Sequence, residues 1–164
     1  MNPRFRFLGL VLLAAGAATV SHARLGENLA ELKKRFGTPA QQVQPRKDQE
    51  FWLFEGDDGQ LMYTVTFNAK GQSIAEGLKP LKRARFNRDV AMNFIDSELV
   101  PIRSSKTLRT LQPGDVYHFA GQNLVCGDKE FIMIDEAHGT LVIWSQAGIP
   151  SVMVLAPEMM AQMN

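Results

Sequence analysis

Four side chains of this sequence are the strongest candidates to take part in a reaction or to hold a metal ion. They are His118, Cys126, Asp135 and His138. A thiol beside an imidazole is the nucleophile–base pair of thiol hydrolases, and imidazoles with carboxylates suit zinc and similar ions. However, the sequence has no His-x-His or His-x-x-x-His pair, and strand alternation points Asp135 and Glu136 to opposite faces. We therefore predict a turn histidine beside solvated acids, and we assign no catalytic, metal-binding or cofactor-binding residue.

Cys126 is the single cysteine of the chain, so an intrachain disulfide framework and a cysteine-rich zinc module are both excluded. A nucleophilic cysteine usually needs a helix N-terminus or a nearby cation that lowers its pKa. The run Leu124-Val125-Cys126 is instead typical of the end of a buried strand. We predict a small core residue, and the alternatives are an intermolecular disulfide and catalysis together with His118 or His138.

Other polar motifs predict turns and linkers. Asp57-Asp58-Gly59 lacks the further oxygen ligands of a calcium loop and predicts a hairpin turn. No Gly-x-Ser-x-Gly elbow surrounds any serine, so a serine-hydrolase context is missing. A basic cluster is predicted to be a solvated linker, with an anionic lipid headgroup or an acidic protein face as the alternative partner. The cluster consists of Lys79, Lys82, Arg83, Arg85 and Arg88.

Composition describes an ordinary globular domain. The chain has 164 residues, of which 45% are hydrophobic and 21% charged, and its 18 basic and 17 acidic side chains give a formal charge of +1. These values argue against a coiled coil, a long disordered tail and a polybasic nucleic-acid binder. We therefore expect no nucleic-acid partner.

The first 23 residues have the pattern of a cleavable signal peptide. Arg4 and Arg6 precede an uncharged apolar stretch over residues 7–20, and Ser21-His22-Ala23 offers small residues at the cleavage positions. About 14 apolar residues span only about 21 Å, which is short of the roughly 30 Å hydrocarbon core. We predict cleavage after Ala23, and a mature chain of 141 residues with charge −1 and no transmembrane segment. This chain is expected in a periplasm or outside the cell.

The first half of the mature chain predicts a helix and three strands. Leu25, Leu29, Leu32 and Phe36 fall on one helical face, and Gly37 with Pro39 ends the helix. Residues 41–48 are polar and predict a loop. Alternating apolar residues and intervening turns then predict a three-stranded antiparallel meander over residues 50–55, 61–67 and 72–78.

The second half repeats this order after a basic join over residues 79–86. Asn87 is a suitable cap for a helix over residues 88–99, whose apolar residues form a stripe. Short strands are predicted around residues 107–111, 116–120, 124–126, 130–136, 141–145 and 152–156. The predicted fold is α+β, with an antiparallel sheet and two helices packed on one side. Within one domain, 24–164, the order raises the hypothesis of two αβ units, 24–78 and 87–156.

The segment from Arg24 to Pro39, with the strand over 51–54 and the hairpin over 65–74, resembles a module of two bacterial envelope families. They are the beta-lactamase inhibitor protein type and the small outer-membrane lipoprotein of the barrel-assembly machinery. In those families a helix ending in a Phe-Gly-x-Pro turn packs on an antiparallel sheet, and the sheet or its edges bind other proteins. The lipidated cysteine and the inhibitor disulfides are missing here. The resemblance covers 24–78 and implies a binding scaffold.

Aromatic and methionine side chains offer surfaces for packing or for a partner. Phe51, Trp52 and Phe54 alternate along one strand, so that burial on both faces and contact with a partner are both open. Met159, Met160 and Met163 predict a short helix or frayed tail that docks on the sheet.

Taken together, these patterns predict a non-enzymatic exported protein that acts as a binding or structural scaffold in the bacterial envelope. Its predicted partner is another envelope protein, and its oligomeric state is left open. The alternative is a small metal-dependent or thiol hydrolase that uses His118, Asp135, His138 or Cys126.

Overall fold

A computed structural model describes residues 24–46, 49–56, 59–81 and 86–162. The predicted signal peptide, the turn at Asp57-Asp58, part of the basic cluster (Lys82, Arg83 and Arg85) and Met163 lie outside the described residues. None of the helices in the described part has the length and apolar character that a membrane crossing requires.

The described elements are three α-helices, one 3-10 turn and ten strands. The helices are α1 (Leu29–Phe36), α2 (Arg88–Leu99) and α3 (Pro157–Gln162), with the 3-10 turn at Val100–Ile102. The strands of the first half are β1 (Gln41–Arg46), β2 (Gln49–Gly56), β3 (Leu61–Phe67) and β4 (Ser73–Pro80). Those of the second half are β5 (Leu108–Leu111), β6 (Val116–Phe119), β7 (Gln122–Val125), β8 (Glu130–Asp135), β9 (Thr140–Ser145) and β10 (Ser151–Leu155).

Eight of these strands form one antiparallel sheet in the order β1-β2-β3-β4-β10-β9-β8-β5, and β6 pairs with β7 in a separate hairpin. The α+β class and the antiparallel sheet are therefore confirmed. The sheet is larger than predicted, because strands from both halves of the chain join in it and because the prediction of a loop is wrong for residues 41–46. Residues 41–46 form β1, which pairs with β2. An edge strand has one neighbour and tolerates polar residues and a proline such as Pro45.

The two halves of the chain meet at the centre of the sheet. In each half a helix precedes four strands of the sheet, which are β1 to β4 in the first half and β5, β8, β9 and β10 in the second. The last strand of each half pairs with the other, so that Val152 lies opposite Leu78 and Val154 lies opposite Glu76. The hairpin of β6 and β7 is inserted between β5 and β8.

Capping side chains set where the two long helices begin. Asn28 accepts hydrogen bonds from the backbone of Ala30 and Glu31, and Glu31 accepts one from the Asn28 backbone at 2.8 Å. The helix therefore begins at Leu29 and not at Leu25 as the apolar spacing predicts. The preceding residues join the sheet instead, because the Gly26 N–H donates to the Ser73 carbonyl at 2.8 Å. The predicted span of α2 is confirmed, and Asn87 caps it.

One face of the sheet, called the helix face here, carries both long helices. Leu32 of α1 packs with Phe54 and Val65 on β2 and β3. Phe94 of α2 belongs to a cluster that includes Val152 of β10. Because neighbouring residues of a strand point to opposite faces, this cluster and the α1 cluster share one side of the sheet.

The second face of the sheet is covered over the C-terminal half. There the inward side of the β6–β7 hairpin and helix α3 close over β5, β8 and β9. Phe119 and Met160 reach the same buried cluster as Ile132, Ile134 and Leu141. The C-terminal methionine segment is therefore a short docked helix over the residues that the structure describes.

Candidate functional site

The four predicted candidates are divided between two places. His118 lies on the outward side of the β6–β7 hairpin, where its Nδ1 is 3.1 Å from the Asn123 amide oxygen. Cys126 follows β7 and is buried on the inward side. Asp135 and His138 are brought together at the end of β8, with His138 Nδ1 2.9 Å from Asp135 Oδ2. Among the described residues, no three histidine, cysteine or acidic side chains are grouped as a metal ion requires.

Cys126 is in a setting that favours the neutral thiol. Burial raises the pKa of the Cys126 thiol, and the nearby Glu130 carboxylate raises it further. The sulfur lies 3.8–3.9 Å from the backbone carbonyls of Leu111, Gly127 and Glu130. A thiol facing carbonyl acceptors in a raised-pKa site is a weak nucleophile at neutral pH. The prediction of a buried core cysteine is confirmed.

Asp135 is buried rather than solvated, which corrects the expectation from the sequence. Its Oδ1 accepts hydrogen bonds from the Thr107 hydroxyl and from the Ala137 N–H, the latter at 3.2 Å. Its Oδ2 accepts one from His138. Thr107 is in turn 2.9 Å from the Ser105 hydroxyl. Desolvation raises the pKa of Asp135, but hydrogen bonds from Ser105, Thr107 and His138 outweigh it and lower the pKa below its ordinary value.

The connectivity around Asp135 does not match that of a hydrolase triad. In a triad the carboxylate holds one imidazole nitrogen while the nucleophilic hydroxyl bonds to the other. Here the Thr107 hydroxyl donates to the carboxylate itself. Asp135 and its donors therefore tie the segment before β5 to the turn between β8 and β9, which is a structural role.

A second group of charged residues was not predicted from the sequence. Arg35 of α1 binds three carboxylates, with 2.8 Å to Glu27, 2.6 Å to Glu76 and 3.0 Å to Glu98. Glu76 also accepts a hydrogen bond from the Ser73 hydroxyl at 2.9 Å. Glu76 and Glu98 are each 1% exposed. We call these four charged residues the Arg35 cluster.

Two sequence signals were available for this cluster. Glu76 is an acid inside the otherwise apolar and small run Ile74-Ala75-Glu76-Gly77-Leu78. Glu98 follows Phe94 by four residues and thus falls on the buried stripe of α2. A charged residue at a buried position requires a partner. The sequence shows neither which cation serves both acids nor where it comes from.

Glu98 is the least satisfied member of the cluster. Its Oε1 binds Arg35, whereas its buried Oε2 has no hydrogen-bond partner among the described residues. Burial raises the pKa of Glu98 to about 8, with the Glu76 carboxylate adding to the rise and Arg35 and Arg24 opposing it. Burial also raises the pKa of Glu76. The cluster therefore tends to hold a proton at neutral pH.

A cavity of about 380 Å³ lies beside Glu98, on the helix face. Aromatic walls form part of it, with ring centroids 4.3 Å apart for Phe36 and Tyr63, and 6.1 Å apart for Tyr63 and Phe94. Its lining combines aromatic, aliphatic and charged groups, including Arg24, Arg35, Phe36, Tyr63, Phe94 and Glu98.

The second face of the sheet is open at its centre. Met153 lies in the middle of β10, which is hydrogen-bonded to β4 on one side and to β9 on the other. A residue of such a strand is reached by solvent only through a face of the sheet, and Met153 is 36% exposed. Its partners in register are Gly77 and Ile143, and Thr64 lies opposite Gly77.

Comparison with known proteins gives a likeness in fold. No protein-family model matches the chain, and a search among curated proteins finds no match. Among solved structures, the chain is similar to the crystal structure of a cysteine-rich secretory protein from Staphylococcus aureus subsp. aureus Mu50, with 12% identity and a TM-score of 0.51. The match covers 84% of this chain and 46% of that chain, so this chain spans about half the length of that protein. At this identity the likeness shows the fold alone.

Proposed function

We propose that the protein is an exported, non-enzymatic binding scaffold of the bacterial envelope, and that its contact surface is the open part of the second face. The observation that carries the proposal is the exposure of Met153 on a central strand. Large apolar side chains exposed on a sheet face are typical of contact sites for other proteins. The predicted partner is another envelope protein.

The proposed surface is a row of residues in register across five strands. From β2 to β9 the row contains Leu53, Thr64, Gly77, Met153 and Ile143. Gly77 has no side chain to project from this surface, and a larger residue does not fit, because a Cβ at this position would lie 2.8 Å from Thr64 Oγ1 and 3.2 Å from the Val152 carbonyl. The result is a shallow, mixed apolar and hydroxyl surface that a protein can cover. We call these five residues the central row.

The arrangement of the reactive groups supports a non-enzymatic role. The hydroxyl and imidazole beside Asp135 both bond to the carboxylate, and the Cys126 thiol is buried among carbonyls. The resemblance of residues 24–78 to envelope-protein modules that bind through a sheet agrees with this interpretation.

The contact surface is tested by placing a photocrosslinking amino acid at position 153 and, as a control, at position 149 in cells. Ile149 is 72% exposed in the loop before β10 and lies outside the central row. We expect a discrete crosslinked product from position 153 that Thr64→Arg abolishes without changing the melting temperature. The proposal fails if the two positions give the same products, or if Thr64→Arg leaves the product intact.

Export is tested by mass spectrometry of the purified native protein. The expected N-terminal residue is Arg24, and a protein that retains Met1 would contradict a cleaved signal peptide.

The alternative role, a metal-dependent hydrolase, is tested by elemental analysis of the native protein and of His118→Ala and His138→Ala variants. A stoichiometric metal that is lost on either change would overturn the non-enzymatic proposal.

A further inference from the structure

The Arg35 cluster and its cavity have an unbalanced charge. The Arg35 guanidinium binds the carboxylates of Glu27, Glu76 and Glu98, and the Arg24 guanidinium is a second positive charge near Glu98. With every group ionised, the site carries one negative charge in excess. Burying an uncompensated charge is costly, so the site requires either a proton or one further cation.

The unpartnered oxygen of Glu98 marks the place where a further hydrogen-bond donor is needed. Glu98 lines the cavity and is 1% exposed, and its Oε2 has no hydrogen-bond partner among the described residues. The Arg35 guanidinium is already shared among three carboxylates. The excess negative charge would repel an anionic ligand. A cation with N–H donors would both donate a hydrogen bond to the oxygen and neutralise the charge.

The cavity walls suit an ammonium group as that cation. The rings of Phe36, Tyr63 and Phe94 line the cavity, and the Phe36 ring already holds the Arg35 guanidinium at 4.3 Å. Tyr63 and Phe94 are further rings of the kind whose faces attract ammonium cations. An amine with a small apolar body fits a space of about 380 Å³.

The chain itself has a second source of an ammonium group at the same place. The backbone N–H of Arg24 donates to the Glu98 carbonyl at 3.1 Å, and Arg24 lines the cavity. Removal of the predicted signal peptide after Ala23 converts this amide nitrogen into an α-ammonium with three donors. That group would also lie at the C-terminal end of α2, where a helix favours positive charge.

We propose that the cavity beside Glu98 binds one ammonium group, with the Glu98 carboxylate as its counter-ion, and that the group is either the Arg24 α-ammonium of the processed chain or a small free amine. This site lies on the helix face and does not depend on the central row. An ammonium that binds at neutral pH displaces the proton that Glu98 holds, so binding is coupled to proton release.

Two forms of the exported protein distinguish the sources. One is the native processed chain, and the other carries Ala-Gln inserted between Ala23 and Arg24, which moves the α-ammonium away by up to about 7 Å of extended chain. The pKa of Glu98 is measured in both by carbon-13 NMR of its side chain. If the chain supplies the ammonium, the proton affinity of Glu98 is at least tenfold lower in the native form.

The free-amine source is tested by calorimetry with 2-phenylethylammonium, and with 2-phenylethanol as its neutral counterpart. We expect the amine to bind the insertion form at least tenfold more tightly than the alcohol, with proton release detected as a buffer-dependent heat at pH 7. Glu98→Gln should abolish this preference, while Asp89→Asn, an exposed change on the same helix, should retain it. If the native form binds the amine equally well, the free amine is the ligand.

The proposal is overturned if the pKa of Glu98 is the same in both forms and the amine binds no more tightly than the alcohol. Hydration or protonation would then satisfy the unpartnered oxygen. The proton-release measurement uses no substitution at position 98, so it tests the site even if Glu98→Gln does not fold.

Discussion

Asp135 and Glu98 are two buried carboxylates whose pKa values move in opposite directions. Both are shielded from direct solvent contact, with exposures of 0% and 1%, although Glu98 lies deeper in the protein than Asp135. Desolvation acts on Asp135 as well, yet its hydrogen bonds hold its pKa below the ordinary value. Burial and the Glu76 carboxylate raise the pKa of Glu98 to about 8.

Besides the depth of burial, two differences separate the pKa values: the number of donors that each carboxylate receives, and the second carboxylate, Glu76, beside Glu98. Asp135 accepts from Thr107, Ala137 and His138, which come from segments adjacent to β5 and β8. Glu98 shares one guanidinium with two other acids and leaves one oxygen without a partner among the described residues. A carboxylate that several donors serve stabilises the fold, whereas one with an oxygen that lacks a donor is poised to titrate or to pair with a cation.

The largest effect is expected from removing the shared cation of the Arg35 cluster. Arg35→Met leaves Glu27, Glu76 and Glu98 without their common partner, and we expect the free energy of unfolding to fall by about 3–5 kcal/mol at pH 7. Urea denaturation measures this change. Lys34→Met, on the exposed side of the same helix, should change stability by less than about 0.5 kcal/mol. Similar small effects for both variants would contradict the assigned role of Arg35.

Removing the satisfied carboxylate should come next. Asp135→Ala leaves the Thr107 hydroxyl, the Ala137 N–H and His138 without their acceptor, and we expect a loss of about 2–4 kcal/mol at pH 7. Because the pKa of Asp135 is lowered, its stabilisation exists above the unfolded value and is lost as the pH falls through the folded value. The difference from the wild type should therefore shrink below about pH 4. Asp128→Ala, an exposed control, should show no such pH dependence.

Glu98→Gln should raise the free energy of unfolding at alkaline pH, whereas the two preceding substitutions lower it. A raised pKa means that the folded wild type holds a proton that the unfolded chain releases, so stability falls as the pH rises from 4.5 to about 8. The contribution of this group is roughly 1 kcal/mol per pH unit. The variant lacks this decline and should be about 1–3 kcal/mol more stable than the wild type at pH 8. Parallel stability curves for the two proteins between pH 5 and pH 8 would refute the assignment.

Weakening the donor set around Asp135 gives the smallest effect. Thr107→Val removes one hydroxyl donor, and we expect a loss of about 1 kcal/mol together with a rise in the pKa of Asp135 toward its ordinary value. NMR titration of the Asp135 carboxyl measures the pKa. Thr110→Val, at an exposed position of β5, should leave that pKa unchanged. An unaltered Asp135 pKa in Thr107→Val would show that the remaining donors suffice.

Much of the fold follows from local spacing. The bounds of α2 were predicted from its apolar stripe and Asn87, and the burial of Cys126 from the apolar residues before it. Strand β1 was missed because an edge strand with one neighbour has no need of the apolar alternation that reveals a strand. The helix α1 begins four residues later than the apolar spacing predicts, because the Asn28 cap sets its first turn.

The sites divide in the same way. Asp135 and His138 are three residues apart, so a turn brings them together and the sequence alone placed both beside it. The hydrogen bond from Thr107 to Asp135 spans 28 residues of the chain, and the pairing of β5 with β8 brings the two side chains together. A nearby pair in the sequence therefore predicts a contact and does not predict its electrostatic setting.

What the sequence determined by itself is the set of local elements, since caps, turns and periodic apolar residues act within a few positions of one another. Only the tertiary structure decided that Arg35 serves Glu76 and Glu98, which are 41 and 63 residues away along the chain. The physical reason is that the charge state of a buried acid depends on how many donors surround it in space. That number is set when α1 and α2 pack on the same face of the sheet.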